Sequence, residues 1–221
     1  MLHLGIETAT PTCAVALLTD DTLLAESRLN IRNVHASRLF QLIDSLFRHA
    51  DRRMQDLNAV SVSIGPGSFT GLRIGLASAK GIATGLDIPV IPVPTLSALA
   101  RQAPAENGRL YPFIRARKNE YYTAPVLRTD WDDHIGEVMI VHPENVEEKL
   151  KTPCMLIGDT RELNISHPDI HIAPAFAHLH SALHVALTGR DLYLQGDLSE
   201  FDTLIPLYGQ DFVAEKPKKR A

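Results

Sequence analysis

The 221-residue chain has only two cysteines, Cys13 and Cys154, too far apart in sequence to form a metal-ligand spacing. A disulfide framework and a cysteine-built zinc site are therefore not expected, and the pair reads as two buried, reduced thiols. No run of 18 apolar residues occurs, and the start, MLHLGIETAT, has no basic region ahead of an apolar core. Neither a membrane span nor a secretory signal is expected, which points to a cytoplasmic protein. An excess of positive charge is missing too, since 22 Lys and Arg stand against 26 Asp and Glu, a net charge of -4. Extensive phosphate-backbone contact by this chain alone is not expected, so in any service to nucleic acid a partner does the gripping. What is there, 45% apolar and 22% charged residues, suits one compact protein or two domains of about 100 residues each.

Along the chain, LHLGIE puts Leu2, Leu4 and Ile6 on one side, and CAVALL and TLLAESRLNI follow across a TDD turn, which predicts a three-stranded meander. HASRLFQLIDSLFRHA repeats Leu39, Leu42, Ile43, Leu46, Phe47 and Ala50 at helical spacing. NAVSVSIG reads as a buried strand, the glycine segment after it as a helix, DIPVIPV as a strand, and TLSALARQ as a helix with Thr95 as N-cap. After a polar break at QAPAENGRL the order recurs more weakly: LYPFIRA, EYYTAPVLRT and IGEVMIV as strands, PENVEEKL as a helix, PCMLIGD and DIHIAP as strands, HLHSALHVALTGR as a helix. Two strand–helix modules of one topology in tandem imply a duplication with a cleft between the halves. The expected fold is α/β, two tandem ribonuclease-H-like domains of the kind shared by actin, sugar kinases and heat-shock ATPases. Residues 1–103 form the first domain and 104–221 a smaller, degenerate second one with a basic tail.

The segment SVSIGPGSFTGLRIGLASAKGIATGL, residues 61–86, looks like a phosphate loop but fits neither template. A P-loop needs four residues between its glycines and then Lys with Ser or Thr; Gly65 and Gly71 enclose five, and Leu72 and Arg73 follow. In the dinucleotide fingerprint the third glycine would come one residue before Gly71. The reading that remains is a tight turn at Gly65-Pro66-Gly67, with Ser68 or Thr70 capping a helix whose free N-terminal amides could also hold an anion. On a helical wheel that helix is apolar nearly all round, leaving Arg73, Lys80 and Thr84 for water. Two readings stay open: it packs against the preceding helix and the second domain, or the two helices form an association surface.

Three other places bear on chemistry. Glu7 ends the first strand where nucleotide-hydrolysing chains of this architecture place an Asp in a Gly-containing hairpin, and IETATPTC has no glycine, which argues against a phosphate-and-metal cradle. The matching turn of the second half, IRARKNEYY, carries Arg115 and Arg117 and reads as a solvated basic turn. In HLHSALH, His180 and His184 share a helical face with His178 beside them, but no Glu follows and no third ligand is spaced to match, so no metal is assigned. Ser68 lacks a nucleophile-elbow setting, and EKPKKRA at the end reads most simply as a solvated basic tail that could supply weak contact with RNA.

GIETAT, HASRL, GPGSFTGLRIGLASAKGIA, VPTLSALA, IRARKNEYY and PLYGQDF, in that order and spacing, resemble the bacterial TsaB (YeaZ) family over nearly the whole chain. The resemblance implies an actin-like scaffold without a working active site of its own. It would form a heterodimer with a TsaD-like carbamoyl-transferring subunit. With the TsaE-like ATPase, the pair would place threonylcarbamoyl on the adenosine beside the anticodon of tRNA. ATP and metal would belong to the partners, tRNA would be met through the complex, and the free chain would self-associate as a homodimer. The family's docking helices map onto Phe40, Ile43, Phe47, Leu72, Arg73, Leu76, Ala79 and Lys80. Glu7, Arg117, Glu120 and Tyr122 are candidates for the cleft or for contact with the ATPase. The family usually has Asp at Glu7, and in the second domain Asp at Arg115 and Gly at Asn119, which makes that domain's turn the least transferable part. The rival functions are an ATP-dependent kinase or ATPase of the same fold, and a metalloprotease.

Overall fold

The computed structural model describes residues 1–31, 34–104, 108–129, 132–196 and 205–207. The basic tail, 215–221, lies outside the described residues, as do most of PLYGQDF and residues 105–107 of the connection between the halves.

The first sheet is built from β1 (Leu2–Glu7), β2 (Thr12–Thr19), β3 (Thr22–Asn30), β4 (Ala59–Gly65) and β5 (Val90–Pro94), in the order β3-β2-β1-β4-β5. The meander β1–β3 is antiparallel, whereas β4 and β5 run parallel to β1 because helices make their crossovers. These are α1 (His35–His49) and α2 (Phe69–Leu86), followed after β5 by α3 (Thr95–Ala100). The second sheet uses β6 (Gly108–Arg117), β7 (Glu120–Thr123), β8 (Val126–Thr129), β9 (Asp132–Ile135), β10 (Met139–Val141), β11 (Cys154–Gly158) and β12 (Ile170–Ile172). Its main path, β10-β7-β6-β11-β12, repeats the first sheet's order, with β8 and β9 added beside β6. The short α4 (Val146–Lys149) precedes β11, and α5 (Ala182–Gln195) follows β12.

EYYTAPVLRT is thus not one strand. Ala124-Pro125 separates β7 from β8, and the two pair with opposite ends of β6, β7 with Ile114–Arg117 and β8 with Gly108–Leu110. IGEVMIV is divided likewise, between the ends of β9 and β10. Thr95 does not cap α3; Pro94 holds the N-cap position, and the Thr95 hydroxyl instead accepts from the Gly65 amide at 3.0 Å, tying β5 to the end of β4.

Strand alternation assigns the two faces of the first sheet. Leu2, Leu4, Ile6, Cys13, Val15, Leu17, Val60 and Val62 meet α1 and α2 in the larger core. The opposite residues are small or polar: His3, Gly5, Ala14, Ala16 and Ser61. They receive α5, whose Ala182, Val185, Ala186 and Gly189 are buried. So the last described helix, though late in the chain, packs on the first sheet and not only on its own. Its approach is close enough that a Cβ on Gly5 would collide with the Ala182 carbonyl oxygen, and one on Gly189 with Ser61.

An arginine binds the junction between the halves. Buried Arg128 makes two 2.7 Å bonds to the Asp133 carboxylate and donates to the carbonyls of Ala100, Ala103 and Pro104. Removing the guanidinium leaves those oxygens and a carboxylate without their partner. Arg128→Met is expected to cost about 2 kcal/mol in urea-unfolding stability, and a loss under ~0.5 kcal/mol would contradict that accounting.

Candidate functional site

The glycine segment is best read from what touches it. Gly65 stands at φ +120°, a conformation L side chains avoid, and turns the chain off β4. Ser68 caps α2 through its hydroxyl, which accepts from the Gly71 amide at 3.2 Å. The Ser68 amide itself donates to the Ala9 carbonyl at 2.6 Å, so one of the amides a phosphate would need is occupied by the β1–β2 turn. Gly67, Gly71 and Gly75 press against Ala9 and Thr8: a Cβ on Gly71 would collide with the Thr8 carbonyl oxygen, and one on Gly75 with the Thr8 hydroxyl oxygen. These glycines let the start of a helix lie directly on the β1–β2 turn, the job that the phosphate-loop comparison had obscured.

Glu7 is fully buried and does not face the cleft. One carboxylate oxygen accepts from the Ala9 amide at 2.7 Å and the other from the Ser63 hydroxyl. It fastens β1 to β4 beneath the turn. Its placement as a possible cleft contact is corrected on that ground.

Between the halves lies a groove of about 1090 Å³. One wall is the β1–β2 turn with Gly67, Ser68 and Phe69; the other is the β6–β7 turn and the loop after β11. Arg117 and Tyr122 both line it, as do Arg115, Lys118, Arg161 and Glu162. Glu120 pairs with Arg117 across the turn but is not part of the lining. Burial pushes the Tyr122 phenol up from its ordinary value, with Arg117 opposing and Glu120 reinforcing the shift. The Arg115 guanidinium donates to the Tyr121 hydroxyl at 3.1 Å and pairs with Glu162. Lys118 belongs to the basic turn IRARKNEYY, whereas Arg161 carried no signal in the sequence because the loop after β11 is brought to the β6–β7 turn only by parallel pairing of β11 with β6.

The outer side of α1 and α2 forms the second candidate surface. Of the eight docking side chains inferred from the wheel, Ile43, Phe47, Leu72, Leu76 and Ala79 are buried in the chain's own core. A folded chain cannot offer them to a partner, so the wheel's inner arc was mistaken for its outer one. Phe40 is 56% exposed, and Arg73 is exposed with its guanidinium 3.8 Å over the Phe69 ring. Lys80 is half-buried. The exposed residues of α2 are Thr70, Arg73, Ala77, Gly81, Thr84 and Gly85, with Ile74 and Lys80 half-buried beside them, and a Cβ on either glycine would meet nothing within 4 Å. Of the apolar side chains on this surface, Ala36, Phe40 and Ala77 are exposed and Ile74 is half-buried.

His180 and His184 do not share a helical face, because α5 starts after the N-cap Ser181. His180 is buried with Nε2 unpaired, and His184 has a buried, unpaired Nδ1. His178 accepts from the Gly158 amide through Nδ1 at 3.0 Å. Among the described residues no group of three or more His, Cys, Asp or Glu could hold a metal ion. Cys13 and Cys154 are free and buried, and burial pushes both thiols up to about 11, which keeps them protonated and unreactive at neutral pH. Among the described residues no helix is long and apolar enough to cross a membrane.

The repeated sheet order, with a helix from the second half packed on the first, defines the class: an α/β chain of two tandem actin-like domains with a groove between them. The family described as TsaD, tRNA N6-adenosine threonylcarbamoyltransferase, matches residues 23–197. The chain is 37% identical over 156 residues to the tRNA threonylcarbamoyladenosine biosynthesis protein TsaB of Escherichia coli strain K12, covering 68% of this chain and 67% of that protein. It is 31% identical over 199 residues to the protein of that name from Haemophilus influenzae, covering 88% and 81%. A solved structure from Pseudomonas aeruginosa, of an uncharacterized protein with similarity to peptidase YeaZ, superposes with a TM-score of 0.80 at 25% identity over 94% of this chain and 98% of that one. The chain belongs to the TsaB (YeaZ) family.

Proposed function

We propose that the chain is a non-catalytic subunit of tRNA threonylcarbamoyladenosine biosynthesis. It docks through the outer face of α1 and α2 on a related, TsaD-like threonylcarbamoyl-transferring subunit that works with a TsaE-like ATPase. The observation that carries this reading is the outer face of α2, where Ala77, Gly81 and Gly85 are exposed and Ile74 is half-buried, together with an exposed Phe40 on α1. The small residues Ala77, Gly81 and Gly85 along it admit another helix to short distance, and the exposed phenylalanine of α1 supplies an anchor. Because the chain matches the TsaD family itself, a partner of that fold presents equivalent helices, and the two would meet about a pseudo-twofold axis. The same geometry lets two copies meet when the partner is absent, so the free chain is expected to be a homodimer that dissociates on dilution in sedimentation experiments. A monomer at every concentration would count against this.

The internal bonds of Glu7 support the absence of catalysis by this chain: the acid in the position of a metal-binding or water-activating group has both oxygens occupied. ATP and metal are accordingly assigned to the partner subunits. In a reconstituted assay of threonylcarbamoyl transfer to tRNA, leaving this chain out is expected to lower turnover at least tenfold, whereas Glu7→Gln, which keeps one acceptor oxygen, changes it less than about twofold. A loss of about a thousandfold in a Glu7→Gln chain that still folds and docks would instead make Glu7 a catalytic acid or base and favour the ATPase reading.

A further inference from the structure

The groove between the halves gathers positive charge that the overall composition conceals. Four cationic side chains line it, Arg115, Arg117, Lys118 and Arg161, against two carboxylates, Asp159 and Glu162, in a chain whose net charge is -4. Both carboxylates serve Arg115: Glu162 pairs with its guanidinium and Asp159 accepts its backbone amide at 2.9 Å. Among the described residues, Arg117, Lys118 and Arg161 make no ion pair and no side-chain hydrogen bond, and all three are exposed. Three uncompensated cations on one wall of a groove concentrate the field there and attract anions.

The chemistry of the walls selects among anions. A chelated nucleoside triphosphate needs a run of free loop amides and an acid for its metal. Here Ser68 N–H is spent on Ala9, and Glu7 is buried in bonds to Ser63 and Ala9. The cations instead stand on two segments of one wall, Arg117 and Lys118 at the β6–β7 turn and Arg161 on the loop after β11, and the half-buried Tyr122 lines the same wall. Separate cations for successive phosphates, with an aromatic ring for a base, are the parts of a single-stranded nucleic-acid groove.

We propose that Arg117, Lys118, Arg161 and Tyr122 form a contact site for single-stranded RNA, independent of divalent metal. The preference for RNA over other phosphodiesters rests on the reading of the chain as a tRNA-modification subunit; the anion site rests on the groove alone. A net charge summed over the whole chain hides such a local excess.

The test is fluorescence anisotropy of a labelled single-stranded RNA of about 12 nucleotides, titrated with the full chain in EDTA over a range of salt concentrations. The triple variant Arg117→Ala, Lys118→Ala, Arg161→Ala is expected to lose about a hundredfold in affinity at ~0.1 M salt. Its log–log salt slope should be shallower by about 2, three contacts at ~0.7 each. A triple variant of equal charge change outside the groove, Arg52→Ala, Lys149→Ala, Lys151→Ala, should bind within about threefold of the parent. Tyr122→Ala should weaken binding about tenfold with the slope unchanged, separating stacking from charge. Undetectable binding by the parent at ~0.05 M salt, or equal losses in the two triple variants, would overturn the proposal. So would displacement of the RNA by micromolar ATP with Mg²⁺, which would make the groove a free-nucleotide site. Because none of these readouts uses a partner subunit, failure here leaves the docking face untouched, and failure of docking leaves the RNA site untouched.

Discussion

Acidification from about pH 7 to about pH 4 is expected to remove about 3 kcal/mol of folding stability, more than half of it above about pH 5, before most carboxylates titrate. The cause is His3. It is fully buried in β1 on the face that receives α5, with Nε2 2.6 Å from the Ser61 hydroxyl and Nδ1 unpaired. Burial, aided by the nearby Arg190 charge, pulls its pKa from 6.5 down to about 4. The unfolded chain therefore binds a proton between these values that the folded chain refuses. The stabilisation is complete above about pH 6.5, falls as pH drops through that window, and is gone near pH 4; about 2.5 pKa units correspond to about 3 kcal/mol. His184 adds in the same direction. Burial, with Arg101, Arg28 and Arg128 against Glu26, lowers it to about 4 as well, and its partial exposure makes its share smaller. Urea unfolding followed by circular dichroism at a series of pH values checks this. His3→Gln should flatten the acid limb, and an equally steep limb in that variant would remove His3 from the explanation.

Substituting two glycines of one helix should give effects of opposite sign. Gly71→Ala places a methyl group against the Thr8 carbonyl oxygen, a backbone atom that cannot swing away, so about 3 kcal/mol of stability should be lost as α2 is pushed off the β1–β2 turn. Gly81→Ala adds its methyl to open space in the same helix, and the gain in helix propensity should stabilise by about 0.5 to 1 kcal/mol. Thermal and urea denaturation of the two variants decide the matter. Equal effects would mean that the close approach at Thr8 contributes nothing.

The same helix marks the limit of what the residues disclose unaided. The period of α1 and α2, the meander and the repeated order of strands are legible because alternation and helical spacing are local. Which arc of α2 faces inward is not, since Ile74 and Leu76 are equally apolar and only the sheet beneath, through Val60 and Val62, chooses Leu76. The residues that receive α5, His3 and Gly5 between Leu2, Leu4 and Ile6, were visible as the small side of an alternating strand. Their partner lies some 180 residues away, so the pattern alone could not name it. His180 and His184 do not show their surroundings in the sequence, because Arg28 of β3, which donates to the His180 carbonyl, and the charges of Glu26 and Arg101 that act on His184 are remote along the chain. The groove failed to show for a similar reason: Arg161 meets Arg117 and Lys118 only through the pairing of β11 with β6.

The docking face is tested most directly by size-exclusion chromatography with light scattering of the chain mixed with its TsaD-like partner, beside the Ile74→Asp variant. Ile74 is half-exposed on the outer face of α2, so the substitution should leave the fold intact, as an unchanged melting temperature would verify. A one-to-one heterodimer for the parent and two separate species for the variant is the predicted result. A heterodimer that forms equally well with Asp at position 74, and with Phe40→Asp added, would contradict the assignment of α1 and α2 as the docking surface.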